Sequence, residues 1–256
     1  MAALAANSRP ITAVYIQQNS KQRHDRKLTH LAETAVAAQI PVQWVDDNFI
    51  NQHASGSSHG GVLARVGPRR FVTCADLLAG VARPYIVMLD GIEDPFNFGQ
   101  AVRALYAAGA DGLVVRPRNW LSAASTVARS SAGASEWLPT AVAETAEDAA
   151  AYFRTQGLTI ACTSQEQAIS LYDADLTRPL FVLMGGEKRG ITRSFLRQAD
   201  LRLEIPYGRA NFSHSLGTAA ATAVLSFEIM RQRRENAFKC AGSLSIFILK
   251  LKHLFT

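Results

Sequence analysis

The sequence predicts an α/β protein in two parts: a small mixed domain, followed by a larger domain built on a parallel sheet. Three observations lead to this prediction. Helical and strand-like patterns alternate along the chain, the strand-like runs of the second part are almost continuously apolar, and 256 residues suffice for one or two domains. Continuous apolar runs are typical of parallel strands that helices cover on both faces.

The first part carries three short strand patterns. They are ITAVYIQ at 11–17, PVQWV at 41–45 and GVLARV at 61–66. Apolar residues at helical spacing fill 24–39, and a loop rich in Gly, Ser and His occupies 51–61. We therefore expect a small α/β domain over residues 1–80.

The second part opens with the strand pattern YIVMLD at 85–90. Further apolar runs lie at 112–117, 158–163, 180–185 and 201–206. Helical patterns separate them at 98–109, about 121–132, 145–156 and 192–198, and a long final helix is expected over 215–235. The larger domain is thus predicted at 81–236, with 237–256 as a C-terminal tail.

The composition is that of a folded, basic protein. Hydrophobic residues make up 48% of the chain and charged residues 19%, which argues against intrinsic disorder. Lys and Arg number 27 against 21 Asp and Glu, a net charge of +6 that favours a polyanionic partner such as nucleic acid, although many proteins of similar charge bind none. The basic stretches 21–27 and 67–70 are candidate phosphate contacts or ordinary solvated charge.

Cysteine usage and the termini indicate a cytoplasmic protein without metal or membrane segment. The three cysteines, Cys74, Cys162 and Cys240, are far apart and have no zinc-ligand spacing. The N-terminus lacks the pattern of a signal peptide, and Lys250 and Lys252 interrupt the apolar tail. We expect the tail to be a packing or partner segment, or else a frayed end.

Ligands of parallel sheets lie beyond the carboxyl ends of the strands, so the loops there are the candidate sites. The segment after 85–90 carries Asn97, Gly99 and Arg103, either as a ligand site or as a helix cap with a surface arginine. The segment after 180–185 is MGGEKRGIT, which matches neither a phosphate loop nor the dinucleotide fingerprint. Its glycines let backbone approach a ligand closely.

The last loop reads IPYGRANFSHSLGTAAATA and leads into a helix of very small residues. Small residues suit close approach of a backbone, a ligand or a partner helix. His214 and Ser215 could suggest a nucleophile with its base, but no GxSxG elbow surrounds Ser215 and sequence neighbours cannot easily face each other.

Together, these three segments resemble the signature motifs of the SpoU (TrmH-like) branch of the SPOUT RNA methyltransferases. The matching residues are Asn97, Gly99, Arg103 and Gly109 in the first motif, Gly185, Glu187 and Gly190 in the second, and Ile205, Pro206, Ser215 and Leu216 in the third. The motifs occur in the family order. The first part of the chain also resembles the ribosomal-protein-like RNA-binding domain often found ahead of this catalytic domain.

The resemblance implies a fold and a cofactor that composition does not reveal. The C-terminal part of the sheet would be threaded into a deep trefoil knot, a rare exception among topologies. The loops at 183–190, 205–209 and 215–219 would hold S-adenosylmethionine against backbone atoms. The implied cofactor-binding residues are Leu183, Gly185, Gly186, Gly190, Ile205, Pro206, Leu216 and Gly217. The family forms homodimers through the final helix and the helix at 97–108, and each active site draws on both subunits.

The implied reaction is methyl transfer to a ribose 2′-hydroxyl of RNA, and the two-part layout favours rRNA over tRNA. The resemblance assigns activation of the hydroxyl to Arg103. The side chains of Asn97, Glu187 and Ser215 would line the pocket and orient the Arg103 guanidinium. An arginine is a poor base at its normal pKa, so electrostatic stabilisation is its expected contribution.

One position departs from the family pattern: Gly217 stands where the family has asparagine. The lost amide removes a hydrogen bond that a neighbour such as Asn211 could replace. The departure keeps a second hypothesis open, an RNA-binding ribosome-assembly factor with the same fold and weak or no methyl transfer. A flavodoxin-like nucleotide-binding protein is a third hypothesis, which the motifs and the charge disfavour.

Overall fold

The computed structural model describes residues 1–18, 26–54, 59–117, 123–186, 190–209, 211 and 214–252, with side chains up to residue 237. The chain divides into two compact units. One comprises residues 1–70 with 121–125, and the other comprises 71–120 with 126–256. The domain boundaries at 80 and 236 stay predictions.

The first unit is a three-stranded sheet with a helix packed on each face. Its elements are α1 (Ala2–Ala6), β1 (Ile11–Gln17), α2 (Arg26–Ala37), β2 (Val42–Val45), α3 (Asp47–His53) and β3 (Val62–Val66). The central strand, β1, pairs parallel with β2 and antiparallel with β3. Alternate residues of β1 face opposite sides, so Val14 and Ile16 pack with α2 while Ala13 and Tyr15 pack with α3.

The second unit is built on seven strands that all run parallel. They are β4 (Tyr85–Asp90), β5 (Gly112–Val115), β6 (Thr140–Val142), β7 (Thr159–Thr163), β8 (Ile169–Ser170), β9 (Leu180–Gly185) and β10 (Leu201–Glu204). Their order across the sheet is β6-β5-β4-β9-β7-β10-β8. The predicted parallel α/β fold is confirmed.

The helices of this unit are α4 (Pro95–Ala107), α5 (Ala124–Ser130), α6 (Ala134–Trp137), α7 (Ala146–Thr155), α8 (Arg193–Gln198) and α9 (Thr218–Lys252), with a 3₁₀ turn at Asp76–Leu78. α7 packs on β7 and β9, where the Phe153 and Phe181 rings stack with centroids 4.9 Å apart. α9 packs on β9 and on α4. At the sheet surface its Ser226 hydroxyl lies 3.0 Å from that of the fully buried Tyr85. Burial raises the pKa of Tyr85, so the phenol is neutral.

A half-buried arginine near the middle of α9 anchors this helix at the starts of β4 and β9. The Arg233 guanidinium donates hydrogen bonds to the carbonyls of Arg83 (2.8 Å), Pro84 (3.2 Å) and Arg178 (2.8 Å). It also lies over the Tyr85 ring, 5.5 Å from the centroid. Burial lowers the pKa of Arg233 without threatening its charge. These contacts fix α9 along the sheet.

Several elements differ from the sequence prediction. α4 begins at Pro95 rather than at 98, because the Asp94 carboxylate caps it by accepting from the Phe96 N–H (3.0 Å). The helix predicted at about 121–132 corresponds to α5, which is shorter than predicted, and residues 237–252 of the predicted tail continue α9 as helix. The short elements α1, α3, α6, β6 and β8 were not predicted.

Candidate active site

A cavity of about 390 Å³ opens at the carboxyl ends of three adjacent strands, β9, β7 and β10. Small-molecule sites enclose about 300–1,000 Å³, so the cavity can hold a nucleoside-sized ligand. Its described lining is formed by Thr163, Ser164, Gln165, Met184, Gly185, Gly186, Gly190, Leu203, Glu204, Ile205, Tyr207, Ser215, Leu216, Thr218 and Ala221. The site therefore combines the ends of three strands with the start of α9.

Gly186 and Gly190, which both follow β9 and line the cavity, are hydrogen-bonded to each other. The Gly190 N–H donates to the Gly186 carbonyl (3.0 Å), and Gly190 has φ +58°, a left-handed conformation that favours glycine. A Cβ at Gly185 would lie 2.8 Å from the Gly190 carbonyl carbon. A Cβ at Gly186 would collide with the Gly91 carbonyl of the loop after β4. Only residues without side chains permit this packing.

The loop before α9 is joined across the cavity by a tyrosine. The Leu216 backbone N–H donates to the Tyr207 hydroxyl oxygen at 2.9 Å. Both residues line the cavity, so this bond links the segment after β10 to the segment that starts α9. Thr218 and Ala221 supply small side chains on the first turn of that helix. No sequence pattern indicated a role for Tyr207, because the contact of its hydroxyl with a backbone N–H nine residues away depends on the tertiary structure.

A third segment of the site, Thr163 to Gln165, was missed by sequence reasoning. It follows β7, whose loop carries no recognisable motif. β7 precedes β9 in the chain but lies between β9 and β10 in the sheet, and the Ser164 N–H donates to the Leu203 carbonyl (2.9 Å). Strand order, which the sequence does not reveal, places these polar side chains in the cavity.

The first motif lies on α4, outside the cavity lining. Asn97 is half-buried and Arg103 is exposed. No described side chain forms a hydrogen bond or ion pair with the Arg103 guanidinium. Gly99 is buried, and a Cβ there would collide with the Ser130 hydroxyl of α5. α4 is therefore packed tightly at Gly99, while Arg103 one turn later stays accessible.

The structure brings together six of the predicted site residues. Those that line the cavity are Gly185, Gly186, Gly190, Ile205, Ser215 and Leu216. Leu183 is buried in the core with 2% of its surface exposed, while Pro206 and Gly217 are exposed and are not among the lining residues. Glu187 lies outside the described residues. The roles assigned to all these residues stay predictions.

The two cysteines in the described part of the chain, Cys74 and Cys162, are poor nucleophiles at neutral pH. Burial raises the pKa of Cys162 to about 11, and it also raises the pKa of Cys74. Cys162, which immediately precedes Thr163 of the cavity, is therefore a neutral thiol at neutral pH. Across the described residues, no cluster of His, Cys, Asp and Glu could hold a metal ion, and no described helix is long and apolar enough to cross a membrane.

We expect Tyr207→Phe to weaken the binding of S-adenosylmethionine about two- to tenfold. The substitution removes only the hydroxyl, so the Leu216 N–H loses its partner, and a neutral hydrogen bond contributes about 0.5–1.5 kcal/mol. Isothermal titration calorimetry measures the change. Tyr172→Phe, at a tyrosine exposed by 53%, is the matched control and should bind as the unmodified protein does. Equal affinity of the two variants would contradict a role for this bond.

Both units match family models. Residues 84–227 match the model of the SpoU rRNA Methylase family, and residues 1–72 match a model described as RNA 2′-O ribose methyltransferase substrate binding. Two relatives are named 23S rRNA (guanosine-2′-O-)-methyltransferase RlmB. The protein of Shewanella oneidensis is 31% identical over 83% of this chain and 87% of its own, and that of Haemophilus influenzae is 33% identical over the same shares.

Solved structures share the fold at lower identity. An AdoMet-bound rRNA methyltransferase from Sinorhizobium meliloti has a TM-score of 0.73 and 23% identity, covering 90% of this chain and 84% of its own. The SpoU methyltransferase AviRb from Streptomyces viridochromogenes, in complex with AdoMet, has a TM-score of 0.74 and 20% identity, covering 91% and 87%. With its family model matched over more than half of its length, the chain belongs to the SpoU rRNA methylase family.

Proposed function

We propose that the protein transfers the methyl group of S-adenosylmethionine to the ribose 2′-hydroxyl of a guanosine in 23S rRNA. The observation that carries this proposal is the cavity in which the second and third SpoU motifs meet. The two RlmB relatives are named for this reaction and cover more than four fifths of the chain. The proposal places the reaction in the cytoplasm, in line with the predicted reducing compartment.

The cavity residues fit S-adenosylmethionine. More than half of the described lining residues are Gly, Ala, Ser or Thr, whose small side chains leave backbone amides and carbonyls accessible for recognition of an adenine ring. Glu204 alone among the described lining residues carries a charge, and a carboxylate complements a ligand that bears sulfonium and ammonium cations. Thr163, Ser164 and Gln165 add hydrogen-bonding groups for the ribose and the amino-acid moiety.

When bound, the cofactor supplies a methyl group already activated by its sulfonium. The protein must then align the 2′-hydroxyl and stabilise the charge that develops on it as its proton leaves. We assign this task to Arg103, whose exposed guanidinium can hold a neighbouring phosphate and the developing oxyanion. Asn97, Ser215 and Glu187 would orient that guanidinium, as the family resemblance implies.

We also propose that the active site is completed in a homodimer. Apolar side chains are exposed on α4, α6 and α9, which pack together: Phe96 (53%), Tyr106, Trp137 and Phe227 (each 44%). Arg103 lies on α4 and outside the cavity of its own chain. Pairing of these helices with a second copy would bury the apolar side chains and would let Arg103 serve the cavity of that copy.

Two further features belong to the proposal. The knotted threading of the C-terminal part of the sheet, which the family resemblance implies, is part of the proposal. Gly217 is the observation in favour of the second candidate, an assembly factor that binds RNA with weak or no methyl transfer. Calorimetry with S-adenosylmethionine separates the two, because a degenerate family member would not bind it.

Arg103→Ala should reduce methyl transfer about a hundredfold or more while leaving S-adenosylmethionine affinity unchanged. The loss follows from removing a charge that acts on the transition state, and Arg103 is not among the described residues that line the cavity of its own chain. Transfer of tritiated methyl groups to rRNA and calorimetry give the two readouts. Arg197→Ala, at an exposed arginine on α8, is the control for loss of positive charge. Turnover of Arg103→Ala near that of the unmodified enzyme would disprove the assignment.

Phe227→Asp should convert the dimer to a monomer and abolish methyl transfer. A carboxylate at the centre of the proposed interface would be desolvated without a partner. Sedimentation velocity gives the oligomeric state, and Tyr172→Asp, at another exposed aromatic residue, after β8, should leave it unchanged. A fully active monomer would overturn the proposal that two copies share each site.

A further inference from the structure

A column of stacked side chains lies on the α3 side of the first unit's sheet. The His53 ring stacks on Phe49, with centroids 4.4 Å apart and planes inclined by 26°. Phe49 packs on Tyr15 with centroids 4.9 Å apart, and the Arg65 guanidinium lies 5.9 Å from the Tyr15 centroid. Tyr15 is buried, whereas His53 and Arg65 at the two ends are exposed. We call these four residues the stacked column.

The exposed imidazole at one end of the column is held in a fixed orientation. His53 Nδ1 lies 2.8 Å from the Phe49 carbonyl oxygen, and because a carbonyl only accepts, Nδ1 carries the proton. The helix beneath is anchored as well: Ile50 is fully buried, and the Asp46 carboxylate accepts from the Phe49 N–H (2.8 Å). A ring already ordered in this way loses little entropy when a ligand stacks on it.

The charge of the unit suits a polyanion. Residues 1–70 contain eight Lys and Arg and four Asp and Glu, a net charge of +4. The two carboxylates of the column's helix are at its other end: Asp46 caps the helix, and Asp47 accepts from the Gln17 amide (2.5 Å). Asp46 is seven residues before His53, which on a helix is about 10 Å. The end of the column at His53 is therefore open to nucleic acid.

We propose that the stacked column holds an unpaired base of the substrate RNA. The base would stack on the exposed face of His53, and Arg65 would contact a phosphate of the same strand. Aromatic rings and guanidinium groups are the surfaces on which unpaired RNA bases stack. The choice of RNA as ligand rests on the proposed function, and the family model matched by residues 1–72 supports it.

His53→Ala in the full chain tests the proposal. The probe is a short fluorescein-labelled single-stranded RNA, measured by fluorescence anisotropy beside the same sequence annealed into a duplex. Stacking of one base contributes about 1–3 kcal/mol, so the Kd for the single strand should rise about fivefold or more, with the duplex little affected. His53→Trp keeps an aromatic surface for stacking and should retain the affinity for the single strand. This variant tests the proposal even where His53→Ala folds poorly.

His30→Ala is the matched control, because His30 is exposed on α2, on the opposite face of the same sheet. A single-strand affinity of His53→Ala equal to that of His30→Ala would overturn the proposal, and so would failure of His53→Trp to restore binding. In methyl-transfer assays, His53→Ala should raise the KM for RNA while kcat and S-adenosylmethionine affinity stay unchanged. Failure of the proposed function would instead be seen as the absence of cofactor binding and methyl transfer in the unmodified protein. In that case, the anisotropy measurements on His53→Ala and His30→Ala would still test whether the stacked column binds RNA.

Discussion

The close approach of two loop backbones, at Gly91 and Gly186, is the contact on which the candidate site depends. β4 and β9 are paired along their whole length, up to Asp90 opposite Gly185, so their following loops leave the sheet side by side. A Cβ at Gly186 would collide with the Gly91 carbonyl, and therefore only glycine lets the two loops touch. One loop lines the cavity and the other leads into α4, which carries Asn97 and Arg103. The contact joins the loop that lines the cavity to the segment that carries Asn97 and Arg103, the residues for which we propose a role in catalysis.

α9 connects the two ends of the sheet and gives the site a rigid wall. Thr218 and Ala221 line the cavity, Ser226 meets Tyr85 within the core, and Arg233 binds carbonyls at the strand starts. Because these contacts are spread over four turns, the start of the helix cannot shift without breaking the hydrogen bonds of Arg233. The Tyr207 hydroxyl then fixes Leu216, which precedes the helix, against the segment after β10. Helix α9 and the hydrogen bond between Tyr207 and Leu216 thus hold the entrance of the cavity in place.

Much of this arrangement could be predicted from the sequence, for identifiable reasons. β4 and β9 are buried on both faces, so their residues form continuous apolar runs. These runs predicted both strands with the bounds that the structure shows. β6 and β8 have three and two residues, too few for any periodicity to show. The glycines of the second motif predicted a ligand-binding loop, because glycine lets the backbone approach a ligand closely. Thr163 to Gln165 and Tyr207 were missed, since strand order and a long-range side-chain bond place them.

We propose that the contact between Gly91 and Gly186 shapes the cavity that binds S-adenosylmethionine. Calorimetric titration of S-adenosylmethionine into the unmodified protein, Gly186→Ala and Gly208→Ala tests this dependence. Gly208 is next to Tyr207, and a Cβ there would meet nothing within 4 Å, so this variant controls for the loss of a glycine near the cavity. We expect S-adenosylmethionine to bind to the unmodified protein and to Gly208→Ala, and Gly186→Ala to lose most of the affinity. Unchanged affinity in Gly186→Ala, or no binding by the unmodified protein, would contradict the proposal.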